Sequence, residues 1–189
     1  MMKRVLRLST IAILTLAVIS CSTTRVLQED QYRLADNKIK VLNDSKFSTS
    51  ELSPYLKQKP NPSIIFGWNP FLSVYNWSNG KGKAWDKLVQ KVGLAPVIYD
   101  ADLVESSVEN ILTHLEYQGY YGSKVDTDIS VRKRKVFVTY NVLLGKQFPI
   151  SSIEYVLPER GEFRSAFLQD TSKFAVKEGS FLSEAALET

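Results

Sequence analysis

The stretch KVDTDISVRKRKVFVTYNVLLG, residues 124–145, decides the fold. Val125, Thr127, Ile129 and Val131 alternate with Asp126, Asp128 and Ser130. After a basic turn at residues 132–135, Val136, Val138, Tyr140 and Val142 alternate with Phe137, Thr139, Asn141 and Leu143. A side-chain period of two over both runs, split by a short charged turn, is the pattern of a β-hairpin. One face of such a sheet is strongly apolar and has to be covered by other elements.

The residues upstream supply that cover. Asp100 or Asp102 can cap a helix with Val104, Val108, Ile111, Leu112 and Leu115 on one stripe, which Gly119 ends. Residues 38–42 (KIKVL) alternate as a short strand, and Ser48 or Thr49 can cap a first helix running to about Gln58, with Pro54 departing from the ideal. Between them, residues 60–96 carry Pro60, Pro62, Pro70, Gly67, Gly80 and Gly82 together with Trp68, Trp77 and Trp85. Proline and glycine at this density exclude one continuous element, and the aromatic rings argue for an ordered insertion with a short helix at residues 83–92. The insertion's aromatic surface packs on its own domain or meets a lipid interface.

The order then begins again. Residues 150–157 (ISSIEYVL) read as a strand, residues 162–169 as a helix and residues 183–188 as the start of another. A lone strand beneath two helices leaves its edges unsatisfied, so this second unit reads as incomplete. The expected fold class is α+β: a β-α-α-β-β unit with a Trp/Pro-rich insertion, followed by part of a second such unit.

The N-terminus has a different character. Lys3, Arg4 and Arg7 precede twelve almost wholly apolar positions, residues 8–19, which are too few to span a bilayer and suit a signal peptide. Val18-Ile19-Ser20-Cys21 resembles the bacterial lipobox, in which a small residue admits a peptidase and the cysteine thiol becomes a lipid-bearing thioether. Cys21 is the only cysteine, so no internal disulfide forms, and it is the expected lipidation site. By resemblance to the sorting rule of lipoproteins, Ser22 in place of Asp implies transfer to the outer membrane.

The net charge of +4 belongs largely to that leader: the other residues carry 21 basic against 20 acidic side chains. A concentrated basic face for nucleic acid is therefore not expected. The turn at residues 132–135 reads as a solvated hairpin tip, with contact to anionic headgroups as the alternative. His114, the sole histidine, lies mid-helix without His or Cys partners; no metal site, catalytic residue or cofactor is expected, and no nucleophile elbow or phosphate loop is present. The protein reads as a binding scaffold and not an enzyme.

Residues 115–125 (LEYQGYYGSKV) carry a family pattern: Gly-Tyr, a small residue three places after the tyrosine, then Val. Gly119, Tyr120, Ser123 and Val125 fit, with Ser123 where alanine is usual, and Gly145 closes the last strand. In this the chain resembles the polypeptide-transport-associated (POTRA) domains of the BamA/TamA superfamily. Residues 176–183 look like the same family's lead into its second helix. The lipobox, the Trp/Pro-rich insertion and residues 93–100 (GLAPVIYD) together look like the TamL lipoproteins of the translocation and assembly module.

The resemblance implies a signal peptide at residues 1–20, a tether at 21–36, a first POTRA-like domain at 37–147 with its insertion at 60–96, and the start of a second at 148–189. It implies a longer parent with further units and a C-terminal barrel, a TamB-like partner, unfolded outer-membrane or surface proteins as clients, and a periplasmic location on an outer-membrane lipid anchor. It also implies client capture by β-augmentation along Val125, Thr127, Ile129 and Val131. The competing expectation is a free-standing outer-membrane lipoprotein adaptor without a barrel, which the coding sequence beyond Thr189 separates from the first.

Overall fold

The computed structural model describes residues 23–64, 69–78, 82, 84–159, 161–174 and 176–188. The leader and Cys21 lie outside these residues. Three strands, β1 (Arg33–Val41), β2 (Lys124–Arg132) and β3 (Lys135–Leu143), form one sheet in the order β1-β3-β2. β1 runs parallel to β3: Arg33 N–H donates to the Arg134 carbonyl at one end and Leu42 N–H to the Val142 carbonyl at the other, both at 2.9 Å. β2 and β3 form the expected hairpin. The helices are α1 (Pro70–Tyr75), α2 (Ala84–Val92), α3 (Ala101–Tyr117), α4 (Glu162–Asp170) and α5 (Glu184–Leu187). The α+β class read from the sequence is the class observed.

The residues group into two compact units, each holding part of every strand. One comprises the chain up to Lys38, Gln58–Asp102 and Asp128–Thr139. Among the described residues it buries Leu27, Leu34, Leu72, Val89, Val136 and Val138. The other comprises Ile39–Lys57, Leu103–Thr127 and Tyr140–Thr189, and buries Leu52, Leu56, Val104, Ile111, Leu115, Tyr140, Val142 and Leu144.

Three expectations are corrected. β1 begins at Arg33 and not at Lys38, so the last residues read as tether are strand, with Arg33 and Leu34 buried. Alternation is hidden there because the burial runs in succession and not every second residue.

The helix expected over residues 48–58 is two 3₁₀ turns, Thr49–Glu51 and Ser53–Tyr55, and Ser48 makes no side-chain cap bond. Pro54 has no N–H to continue an α-helical ladder. Side chains of α3 complete the backbone instead: the Ser107 hydroxyl accepts from Lys57 N–H at 2.9 Å, and Asn110 donates to the Tyr55 carbonyl at 3.3 Å.

The strand expected over residues 150–157 does not form. Among the described residues its backbone pairing is confined to the start: Gly179 N–H donates to the Ile150 carbonyl, Ile150 N–H to the Ser180 carbonyl and Leu182 N–H to the Phe148 carbonyl, each at 2.8 Å. Among the described residues no further strand lies beside the rest, and Tyr155 joins a ring cluster with Phe167 and Phe174.

Candidate functional site

The hairpin turn fixes what the edge of the sheet presents. Lys133 and Arg134 both have positive φ, 48° and 61°, the backbone of a two-residue type I′ turn. Such a turn makes Arg132 and Lys135 a hydrogen-bonded pair. Every second residue back along β2 then faces β3 with its N–H and C=O, namely Ser130, Asp128, Asp126 and Lys124. Val125, Thr127, Ile129 and Val131 turn theirs outward. Among the described residues no hydrogen bond from outside the sheet reaches β2. All four residues that the resemblance gave as client-binding therefore sit on an open edge of nine residues that contains no proline or glycine.

Their side chains lie on the sheet face that carries the core. On β3 that face is closed: Val136, Val138, Tyr140 and Val142 are at most 1% exposed. On β2 it is not, with Ile129 43% and Val131 53% exposed and only Val125 half-buried. The helices expected to cover the whole apolar face leave this strip to solvent. Natural sheets commonly guard an edge with proline, bulges or inward charge. Here the charges, Asp126, Asp128 and Arg132, stand on the opposite face.

The other edge is closed where β1 begins. Leu34 N–H donates to the Val97 carbonyl and Tyr99 N–H to the Tyr32 carbonyl, both at 2.8 Å. Gln58 holds the same segment: its amide donates to the Ile98 carbonyl and its Oε1 accepts from Asp100 N–H at 3.3 Å, while Asn37 donates to the Gln58 carbonyl at 2.7 Å. Sequence reading gave Gln58 only as the end of a helix and residues 97–99 only as part of a resemblance, because neither shows periodicity that would place it at a sheet edge.

The motif residues Gly119, Tyr120, Ser123 and Gly145 come together in one unit. Gly119, at φ +86°, ends α3 in a Schellman turn, with its N–H on the Glu116 carbonyl and Tyr120 N–H on the Leu115 carbonyl, each at 2.8 Å. The Ser123 hydroxyl donates to the Tyr120 carbonyl at 2.8 Å and accepts from Gly145 N–H at 2.9 Å. A Cβ at Gly145 would run into the Tyr121 carbonyl. The motif is a clasp that sets where β2 starts and where β3 ends, and the hydroxyl that replaces alanine is part of it. Tyr120 also meets Phe47 edge-on, ring centroids 5.7 Å apart.

The basic turn is not wholly solvated. Arg134 is half-buried and donates to the carbonyls of Gln28 and Gln31, which ties the hairpin tip to the N-terminal segment. His114 stacks on Tyr55 with centroids 4.0 Å apart, and burial lowers its pKa below 6.5, opposed by the Glu51 carboxylate. Among the described residues no group of three or more His, Cys, Asp or Glu is placed to hold a metal ion, and no helix is long and apolar enough to cross a membrane.

Among solved structures, the crystal structure of Haemophilus influenzae BamA POTRA3-5 matches at 11% identity and a TM-score of 0.30, covering 86% of this chain and 85% of that one. No curated protein matches the sequence. The POTRA family model, described as "Surface antigen variable number repeat", matches residues 37–143, more than half of the chain. The open edge strand, its clasp and the hairpin all lie within or next to that match, and the chain belongs to the POTRA family.

Proposed function

We propose that the chain is the periplasmic, client-binding arm of a lipid-anchored outer-membrane assembly and translocation factor of the TamL type. It captures unfolded outer-membrane or surface proteins by adding an extended segment of the client to β2. The observation that carries this reading is the open edge, with the N–H and C=O groups of Val125, Thr127, Ile129 and Val131 directed away from the sheet. Main-chain pairing accepts many sequences, as a general assembly factor requires. The exposed Ile129 and Val131 side chains add an apolar strip that an incoming strand covers. POTRA domains serve as scaffold modules in outer-membrane assembly systems, which fits an arm that binds and presents clients rather than altering them.

Cys21 carries the lipid in this reading, a TamB-like protein is the inner-membrane-linked partner, and the inserting barrel belongs to a longer parent. The test is photo-crosslinking from a reactive residue at position 129 to an unfolded outer-membrane-protein peptide. Crosslinks are expected from position 129 and are lost in Thr127→Pro, a change that removes an outward N–H. Undiminished crosslinking of a folded Thr127→Pro chain refutes capture at this edge.

A further inference from the structure

The insertion carries an apolar surface that the rest of its unit leaves open. In α2, Trp85, Leu88 and Val92 stand at spacings of three and four, on one side of the helix, and are 54%, 56% and 56% exposed. Val89 and Asp86 face inward. Lys87 and Lys91 flank the open side. α1 packs against α2, and Phe71 and Trp77 are 48% and 47% exposed. The connection is close: Ser78, next to Trp77, donates to the Asp86 carboxylate at 3.1 Å, and the Phe71 carbonyl accepts from Leu94 N–H at 3.0 Å.

The first described residues of the chain are held at this place. Asn76, fully buried, accepts from the backbone N–H groups of Arg25 and Val26 at 3.0 and 3.3 Å, and its own amide donates to the Leu72 carbonyl at 2.7 Å. Thr23 and Leu27 are buried in the same unit. The N-terminal segment is thus pinned to the C-terminal end of α1, one residue from Trp77. Cys21 is two residues before Thr23, and two residues reach about 7 Å at most.

We propose that the face formed by Phe71, Trp77, Trp85, Leu88 and Val92 rests in the interfacial layer of the phospholipid bilayer that holds the Cys21 lipid. This rests on the anchor in the function proposed above. An anchor so close to a pinned segment keeps the bilayer surface beside Trp77, with no length of tether to hold it off. Tryptophan and tyrosine favour the headgroup region, and a short helix with an apolar side flanked by lysines suits a leaflet of negative surface potential. The consequence is orientation: lipid chains and insertion together make two contacts, which fix the unit on the membrane where the lipid alone would let it swivel.

The test uses the full chain, made with its leader in a bacterial host and purified from membranes. The mass of its N-terminal peptide reads the state of Cys21. The chain is then placed in phosphatidylethanolamine–phosphatidylglycerol vesicles with or without bromine on the acyl chains. All three tryptophans, Trp68, Trp77 and Trp85, lie in the insertion, so quenching reports on that region alone. Brominated lipid is expected to remove most of the emission. The double variant Leu88→Ser with Val92→Ser, altered only at exposed positions, is expected to recover it with an unchanged circular dichroism spectrum.

An acylated, vesicle-bound chain whose emission is the same in both vesicles overturns the proposal while leaving the anchor in place. A bare Cys21 with quenching retained removes the anchor and keeps the surface, and a bare Cys21 without quenching removes both. Sedimentation without lipid decides against a bilayer if the chain self-associates and the double variant does not, because the face then meets a second copy.

Discussion

The two edges of the sheet start from similar material and end differently. β1 and β2 are both nine-residue outer strands flanking β3. At β1 a loop with no regular structure, residues 97–99, pairs with the strand, and Gln58 ties it down from two sides. At β2 nothing described pairs with the outward groups, although this strand holds the stronger β-formers. An edge is closed by whatever else the chain brings to it, and the strand's own composition does not decide the matter.

Three prolines test that contrast most directly. Leu34→Pro removes an N–H bonded to Val97 and cuts into a side chain only 1% exposed, so a loss of about 3 kcal/mol or more is expected in urea unfolding. Asp128→Pro removes a donor that faces β3 and is expected to cost a similar ~3 kcal/mol. Thr127→Pro, one residue away, removes a donor that faces solvent and is expected to stay within about 1 kcal/mol of the parent while client capture is lost. Equal damage from Thr127→Pro and Asp128→Pro would overturn the register assigned here.

Gln58→Ala sharpens the other side of the comparison. It strips two bonds from residues 98 and 100 and is expected to cost about 1–2 kcal/mol, with faster hydrogen exchange at Leu34 and Tyr99 and none of that change at β2. Ser123→Ala loosens the clasp at the root of β2 by leaving the Gly145 N–H without its hydroxyl acceptor, at about 1 kcal/mol.

His114 serves as a control away from both edges. Its folded pKa is lowered, so as pH falls the unfolded chain takes up the proton first. Its contribution to stability is present above the ordinary value of 6.5 and lost as pH falls through the folded value. The unfolding midpoint is expected to drop on acidification below neutrality, and His114→Gln is expected to flatten that part of the profile without altering capture.

The hairpin, α3 and α2 were legible because each is a periodic run ended by its own turn residues. The 3₁₀ turns were not, because Leu52 and Leu56 keep a helical spacing and the loss of the ladder at Pro54 is made good by Ser107 and Asn110, some fifty residues away. α1 was missed because six residues are too short to carry a period, although Asn69-Pro70 is a start signal. The failed strand at residues 150–157 has the opposite origin: its alternation is real, but a strand needs a neighbour, which periodicity cannot supply. Among the candidate site residues, the outward set Val125, Thr127, Ile129 and Val131 was named on family analogy. Alternation told which residues share a face, and the turn type was needed to tell which groups point out.

The sequence by itself determined the α+β class, the hairpin and its turn, the long helix with its glycine stop, and the family motif, since each rests on contacts among near neighbours in the chain. Only the tertiary structure decided the order β1-β3-β2, and with it which strand is left open, because strand order depends on pairings between residues about a hundred positions apart. It decided as well that Arg134 anchors a carbonyl pair and that Ser123 closes a clasp. A hydrogen bond is chosen by proximity in space, and no local pattern encodes a partner that lies so far along the chain.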